Sequence, residues 1–486
     1  MVSRILPILL LLACTMASAQ NIRIEPLDNN TSTDDFAPAY TNHGRVIIFT
    51  SDEGGDGQRL RTMERTSGGW TAATNLLGDV NDATHSGSGT LTPDGQSIIF
   101  ASYENDVDGR GRTDLYSARK VNGKWIEVTN LGAAINTDFY DAHPSITADG
   151  RTLYFVSDRP GGNGETDIYV ATWGGSSWGA AKPLAGINTA KSEMSPVIAA
   201  DGKTIYFSSD RAGGAGGFDI YVAKISGSAV TDIRRLSDPV NTAADEMFYS
   251  ALPNSDQALL SRTTSNGDYD NYTVTPNPFP SEAVTLVEGV VADATTKVPL
   301  GSTITVTDLA TGKKVAGLRS DDQSGQYYVT LTPGRIYSIT ASAPGYVFHT
   351  ERYEVPPGAK GTTVKKDIDL SPLTKGGARL LVFFDYDKSE LKSESTPELE
   401  RIIELLRENP TIKLRFDGHT DDQGSDDYND ALSLRRAQSV LNYVVAGGVP
   451  ATRLEAKGFG KRQPAVQGAT DEARAANRRV EMKVVE

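Results

Sequence analysis

The chain has 486 residues, with 47 Gly, 23 Pro, five His, one Cys and 62 acidic against 48 basic side chains, a formal charge of −14. That length holds about three domains, the acidic balance argues against a general basic nucleic-acid surface, and one cysteine excludes intrachain disulfides and Cys-rich metal sites. Five scattered histidines leave little for a histidine metal centre, and the glycine content favours short strands and many turns. The expectation is a multidomain, mainly β protein.

The first residues read as an export signal over 1–19. Arg4 is the positive start, Ile5 to Ala13 the apolar stretch, and Ala17-Ser18-Ala19 the cleavage site. The apolar run is far shorter than the roughly 20 residues that span a bilayer. Leu11-Leu12-Ala13-Cys14 is similar to a bacterial lipobox, which would lipidate Cys14 and tie the protein to the outer membrane. The small-residue cleavage site favours release instead, and both readings place the protein in the periplasm.

From 21 to 275 a unit of about 52 residues recurs. Its clearest copies run from Asp149 to Arg159 and from Asp201 to Arg211, each continuing through glycines into Asp-Ile-Tyr-Val-Ala at 167–171 and 219–223. Weaker copies centre on Phe49, Phe100 and Leu259; Trp70, Trp125 and Trp178 recur in step, as do Asn30, Asn81, Asn136, Asn188 and Asn241. Strand, Asp-Gly turn, strand, Gly-rich turn, strand, polar turn, strand describes a propeller blade. Five copies predict five blades, with a sixth assembled from both ends left open. The repeats resemble the WD40-like PD40 units of TolB-type propellers.

Thr275-Pro276-Asn277-Pro278-Phe279-Pro280 predicts a stiff linker over 276–282. Beyond it, strands are expected at 286–291, 303–307, 327–331 and 337–341. Gly289-Val290-Val291, Pro299-Leu300, Gly325-Gln326-Tyr327 and Gly345-Tyr346 resemble the carboxypeptidase regulatory-like β-sandwich, over 283–372. This part is read as a spacer or docking module.

The last region turns α/β: a strand at 379–384, a helix opened by Thr396-Pro397 and stopped at Asn409-Pro410, a strand at 413–416, a helix from Asn429 to about Ala446, a short helix at 471–477 and a strand at 479–485. Phe384-Asp385-Tyr386-Asp387, then Gly418-His419-Thr420-Asp421 with Gly424, Asn429, Leu432-Ser433, Arg436-Ala437 and Asn477-Arg478-Arg479-Val480 resemble the OmpA/Pal-like C-terminal domain, over 378–486. The resemblance implies non-covalent binding of the diaminopimelate stem peptide of peptidoglycan, with Asp421 on the ligand ammonium and Arg436 on its carboxylate.

The residues agree chemically. Asn429, Ser433 and Arg436 share one helix face at i, i+4, i+7. A zwitterionic ligand end needs one fixed anion and one planar cation. Asp421, beside Thr420, lies in a preceding turn, and Phe384 and Asp385 at a strand end form the opposite wall. Arg478 is a lesser candidate. The competing explanations are an internal Asp421–Arg436 salt bridge, or simply solvated charges.

Other signals are discounted. Gly175-Ser176-Ser177-Trp178-Gly179 matches a nucleophile elbow, but it falls in a blade turn with no His partner. Asn105 to Gly109 and Gly267 to Asp270 resemble calcium-loop fragments without the closing Glu. His419 lacks metal-ligand neighbours and reads as packing. No catalytic residue, metal or cofactor is assigned. The expectation is a non-enzymatic envelope protein that holds peptidoglycan and offers the propeller to a protein partner. The domain order resembles PorE-type Bacteroidetes envelope proteins of type IX secretion, without their helical-repeat region; a Tol–Pal-like link between outer membrane and wall is the alternative, and a propeller-gated hydrolase a remoter one.

Overall fold

The computed structural model describes residues 21–485, apart from 56, 104, 106, 107, 228, 360, 375 and 386. The export signal and Cys14 therefore lie outside the described residues, as do Asp106, Val107 and Tyr386. No helix among the described residues is long and apolar enough to cross a membrane. The chain is mainly β, with an α/β C-terminal region.

Residues 23–275 form five antiparallel sheets whose innermost strands are Asp35–Thr41, His85–Leu91, Asp141–Ile146, Glu193–Ile198 and Glu246–Ala251. Each innermost strand lies against the next, and the last returns to the first, closing a ring. Each carries a bulge with a left-handed residue: Ala37, Ser88, His143, Ser195 and Phe248. Strand Arg23–Pro26 completes the fifth sheet by pairing with Tyr269–Thr275, so the ring closes on five sheets. The sixth unit considered from the sequence is not formed, because its would-be strand from the chain start is spent on the fifth.

The recurring asparagines account for the period. Asn81, Asn136, Asn188 and Asn241 each bond both the N–H and the C=O of a third-strand residue in the sheet before them, Leu60, Leu115, Ile168 and Ile220, at 2.7–3.0 Å. Asn30 makes the same pair of bonds to Asn271 of the fifth sheet, at 2.9 and 3.0 Å. One side-chain amide thus satisfies two buried backbone groups at every joint.

Residues 276–282 lie along the ring. Tyr206 donates to the Phe279 carbonyl at 2.6 Å, and Asn277 is buried. Two further sheets follow: Thr285–Asp293 with Gln326–Leu331, Thr362–Lys365 and Ile368–Leu370, and Thr303–Asp308 with Lys313–Arg319, Arg335–Ser342 and His349–Val355. Val287, Ile304, Val306, Tyr327, Val329 and Ile339 form the core between them. This unit is fixed to the ring by Arg45–Glu288 at 2.6 Å and by the Asn254 amide, which brackets Val284.

The C-terminal sheet is Gly377–Leu380, Arg479–Val485, Lys413–His419 and Leu454–Gly458, packed under α1 (Thr396–Glu408) and α2 (Asp426–Ala446), with α3 (Asp471–Asn477) before the last strand. Leu399, Ile402, Ile403 and Leu406 of α1 bury their stripe against Phe416, Val440 and Val444. Val347, Phe348 and Leu373 of the preceding unit enter the same core. Buried Glu398 bridges the two, accepting from Thr350 Oγ1 at 2.9 Å and from Leu381 N at 3.0 Å.

Candidate functional site

The site lies where the strand Lys413–His419 runs out beneath α2. Gly418 permits the approach: a Cβ there would fall 2.1 Å from the Ser433 carbonyl oxygen. The loop that follows is held from α2. Ser425 caps the helix, accepting from Tyr428 N at 3.4 Å, with Asp426 and Asp427 in the first turn complementing the helix dipole. This cap starts α2 three residues before the expected Asn429.

Asn429 donates to the Gln423 carbonyl at 2.7 Å, and Ser433 donates to Asp430 O and accepts from Gly460 N, both at 3.0 Å. Both side chains are buried and committed to shaping the loops. They share the helix face with Arg436 as expected, but these hydrogen bonds go to protein backbone.

Arg436 is also buried, and differently placed. Its Nε donates to the Lys388 carbonyl at 3.0 Å, and its guanidinium carbon lies 5.1 Å from the Phe384 ring centroid. Among the described residues no carboxylate pairs with its two terminal nitrogens. Burial, then the nearby Arg478 charge, lowers its pKa. A buried cation without a bonded counter-charge is costly.

Asp421 stands in the Thr-Asp turn, 8% exposed. It is not joined to Arg436, so the internal Asp421–Arg436 bridge considered above is not formed. Its Oδ2 instead meets Arg478 at 2.7 Å, while Oδ1 accepts from Gln423 N at 3.2 Å. Arg478, the lesser candidate, is therefore part of the group, brought in by the end of α3.

Phe384 and Asp385 lie beyond the end of their strand, a correction to the expected 379–384. The strand stops at Leu380 because the next backbone donors turn to side chains: Leu381 N to Glu398 and Phe383 N to Ser395 Oγ at 2.8 Å. Phe384 reaches Arg436, but the exposed Asp385 pairs with Lys388 at 3.2 Å and Lys392 at 3.0 Å. Asp385 is therefore turned to its own loop.

Thr420 is buried, its N–H on the Gly460 carbonyl at 3.0 Å and its hydroxyl without a partner. His419 stacks on Phe459 at 5.5 Å, with neither ring nitrogen hydrogen-bonded among the described residues and Nε2 4.0 Å from the Glu481 carboxylate; burial pushes its pKa down to about 4. Among the described residues no group of three or more His, Cys, Asp or Glu side chains is gathered for a metal. Two contributors were not read from the sequence as site residues: the Lys388 carbonyl, and Tyr428, whose hydroxyl donates to Asp387 of the quoted motif and ties the 384–392 loop to α2. The placement of Tyr428 next to Asn429 and that of Lys388 directly after the quoted motif are the signals that could have found them.

A model of the OmpA family matches residues 383–478. Outer membrane porin F of Pseudomonas aeruginosa is 40% identical over 107 residues, 22% of this chain and 31% of the relative. Outer membrane protein A of Bordetella avium is 36% identical over 132 residues, 26% of this chain and 68% of the relative. Peptidoglycan-associated lipoprotein of P. aeruginosa is 39% identical over 101 residues, 21% of this chain and 60% of the relative. The chain spans about a third of the length of the porin F relatives it matches. Among solved structures, TolB from Acinetobacter baumannii aligns with 50% of this chain and 55% of its own at 19% identity, TM-score 0.32.

Proposed function

Since the chain belongs to the OmpA family through its C-terminal region, we propose that it is a non-enzymatic cell-envelope protein whose residues 378–486 hold peptidoglycan without cleaving it. The ligand is the zwitterionic end of a diaminopimelate stem peptide. Its carboxylate lies on the terminal nitrogens of Arg436 and its ammonium on Asp421, with Arg478, Phe384 and Thr420 around it. The observation that carries this reading is the buried Arg436, positioned by Phe384 and Lys388 with no carboxylate paired to it among the described residues. A relative's name, peptidoglycan-associated lipoprotein, supports it.

The ring of five sheets is read as a PD40-type propeller that receives a protein partner, and the unit at 283–372 as the rigid spacer between partner and wall. Anchoring of a secretion complex, in the manner of type IX systems, is the assembly favoured by the domain order. Partners drawn from the Tol system would replace it with an outer-membrane link.

The exported chain is expected to sediment with purified diaminopimelate-type sacculi, and Asp421→Ala or Arg436→Ala to abolish this. Equal sedimentation of wild type and both variants would remove the site assignment.

A further inference from the structure

The two ends of the ring are not alike. The turns between first and second strands carry the unit that follows: Asp94 accepts from Arg319 N at 2.9 Å, Asp201 from Glu282 N at 2.8 Å and Asn254 from Val284 N at 3.0 Å. Among the described residues, no hydrogen bond or ion pair joins residues 276–485 to the opposite end, where the innermost strands begin. On that free end the repeat changes character from side to side. Asp35, Ser86, Asp141, Glu193 and Glu246 are the equivalent strand starts. The residue after the start is Gly87 and Ala142 in the second and third sheets, but Met194, Met247 and Phe36 in the fourth, fifth and first. The residue before it is His85, Tyr140 and Ser192 in the second to fourth sheets, but Asp245 and Asp34 in the fifth and first. On the third strand, the equivalent position at this end is Gln58, Thr113 and Thr166 in the first three sheets, but Phe218 and Tyr269 in the last two. The second and third sheets complete the same ring without these apolar and acidic side chains, so closing the ring does not call for them.

The departures gather on one side of the mouth. Phe36, Met194, Phe218 and Tyr269 pack round the buried Met247 and Phe248, and each of the four stays half-exposed. Asp245 accepts from Phe218 N at 2.8 Å and Asp34 from Tyr269 N at 2.7 Å, each through Oδ1. The second oxygen of each carries no hydrogen bond among the described residues. Burial, then the charges of Asp245 and Asp34, raises the pKa of Tyr269, as expected of two carboxylates flanking its ring. Asp268 and Asp270 adjoin Tyr269, and none of these four part-exposed acids forms an ion pair among the described residues. The arginines of the same sheets are engaged elsewhere: Arg262 on Glu246, Arg235 on Asp219, Arg61 on Glu53, and Arg59 on the Thr84 carbonyl of the next joint. This side of the mouth is therefore open, apolar at its centre and negative around it.

We propose that the ring receives its partner on this side of the free end, through a segment of the partner protein that carries a lysine or arginine next to an apolar side chain. The cation lies between Asp34 and Asp245 against Tyr269, and the apolar neighbour covers Phe36, Met194 and Phe218. Covering half-exposed aromatic and methionine side chains is favourable, and an aromatic ring beside carboxylates attracts a cation twice over. A neutral or acidic segment would strip water from the acids and give nothing back. This assignment rests on the reading of the ring as the part that receives a protein, and adds the face and the chemistry.

The test is calorimetric titration of the exported chain with a capped Ala-Leu-Lys-Phe-Ala peptide and with matched peptides carrying norleucine or Glu in place of the Lys. The lysine peptide is expected to saturate one site, with the norleucine form about tenfold weaker or worse and the Glu form weaker still. Asp34→Asn with Asp245→Asn keeps the oxygens that accept from the backbone and should weaken uptake about tenfold. Phe218→Thr with Tyr269→Thr installs the residue that the second and third sheets carry; it should keep the fold by circular dichroism and weaken uptake by a similar factor. If one pair does not fold, the other decides. Asp138→Asn with Glu165→Gln, exposed acids of the third sheet at the same end, should leave uptake within about twofold of wild type, since only general attraction between charges is lost. No saturable uptake, equal uptake of the norleucine peptide, equal weakening by the third-sheet pair, or undiminished uptake by a folded pair from the proposed face would overturn the assignment. A photoreactive benzophenone side chain at position 218 or 139, in cells that make the protein, separates the assignment from the reading beneath it. An adduct from 218 that is lost with Asp34→Asn and Asp245→Asn is expected. An adduct from 139 alone would keep a partner on the ring and overturn this face; none from either would overturn the partner reading and this assignment with it.

Discussion

Arg211 in the ring and Arg436 in the C-terminal region are both laid over an aromatic ring, at 5.1 Å, and both are largely shut away from water. They end on different partners. Arg211 meets Glu193, a carboxylate of its own sheet, and the motif recurs in the preceding sheet with Arg159 and Asp141. Arg436 meets a carbonyl and stops, while the nearest acid in its turn, Asp421, is held by Arg478. A buried charge closed within the chain reads as architecture; one left open beside a loop reads as a place for a ligand. Burial alone does not separate the two.

The largest expected effect comes from breaking the closed pair. Arg211→Met strands the fully buried Glu193, and loss of one partner of a buried pair costs about 3–5 kcal/mol, read as a lowered denaturant midpoint. Glu193→Gln added to it should return much of that loss, as coupled partners do. The parallel change Arg436→Met removes a buried cation that no carboxylate pairs among the described residues. It is expected to leave stability within about 1 kcal/mol of wild type while sacculus binding is lost. If Arg436→Met destabilises as much as Arg211→Met, the distinction between the two regions collapses.

Acid should act on both regions alike, because each buries a histidine whose charged form burial disfavours. In the ring, His143 accepts from Ser195 N at 3.3 Å through Nδ1, which puts the ring proton on Nε2 toward the Tyr140 hydroxyl at 3.2 Å. Burial pushes its pKa down to about 3, and that of His419 to about 4, in His419 with a further lowering by Arg479. The folded values lie below the unfolded value of about 6.5, so the unfolded chain takes up protons first. Stability is then full above that value and falls as pH drops toward the folded values, by about 2 kcal/mol per such histidine at pH 5. Melting temperatures from pH 7.5 to 5 should decline, and His143→Gln should flatten part of the slope. A flat profile in wild type would mean that these rings charge without cost.

The sequence carries the comparison unevenly. The period of the asparagines is plain in the chain, and so is the place of the Asp421 turn before α2. What each asparagine bonds is not plain, because its partner belongs to the preceding sheet and, for Asn30, lies 241 residues away at the far end of the ring. The same holds for Asp421: the spacing to Arg436 suggested the pair, but Arg478, 57 residues on, won the contact because α3 delivers it there. Strands Lys313–Arg319 and His349–Val355 were missed since their charged residues hide the alternation, although each faces the core on one side. The helix start was missed because Ser425-Asp426-Asp427 reads as loop until the serine is seen capping.

The smallest effect sharpens the comparison most, because it concerns one hydroxyl. Thr420 Oγ1 is buried and unpartnered next to Asp421, and a hydroxyl shut from water without a hydrogen bond costs about 1–3 kcal/mol. Thr420→Val has nearly the same shape and removes that cost, so the variant should melt at or slightly above wild type. If the hydroxyl is retained for the ligand, as the open nitrogens of Arg436 are, sacculus affinity should still fall, by about five- to tenfold for one lost hydrogen bond. A variant that melts higher and binds less would place Thr420 with Arg436 on the open side of the comparison. One that binds as well as wild type would place it with the packing residues, beside His419 and Phe459, and confine the ligand to the charged group.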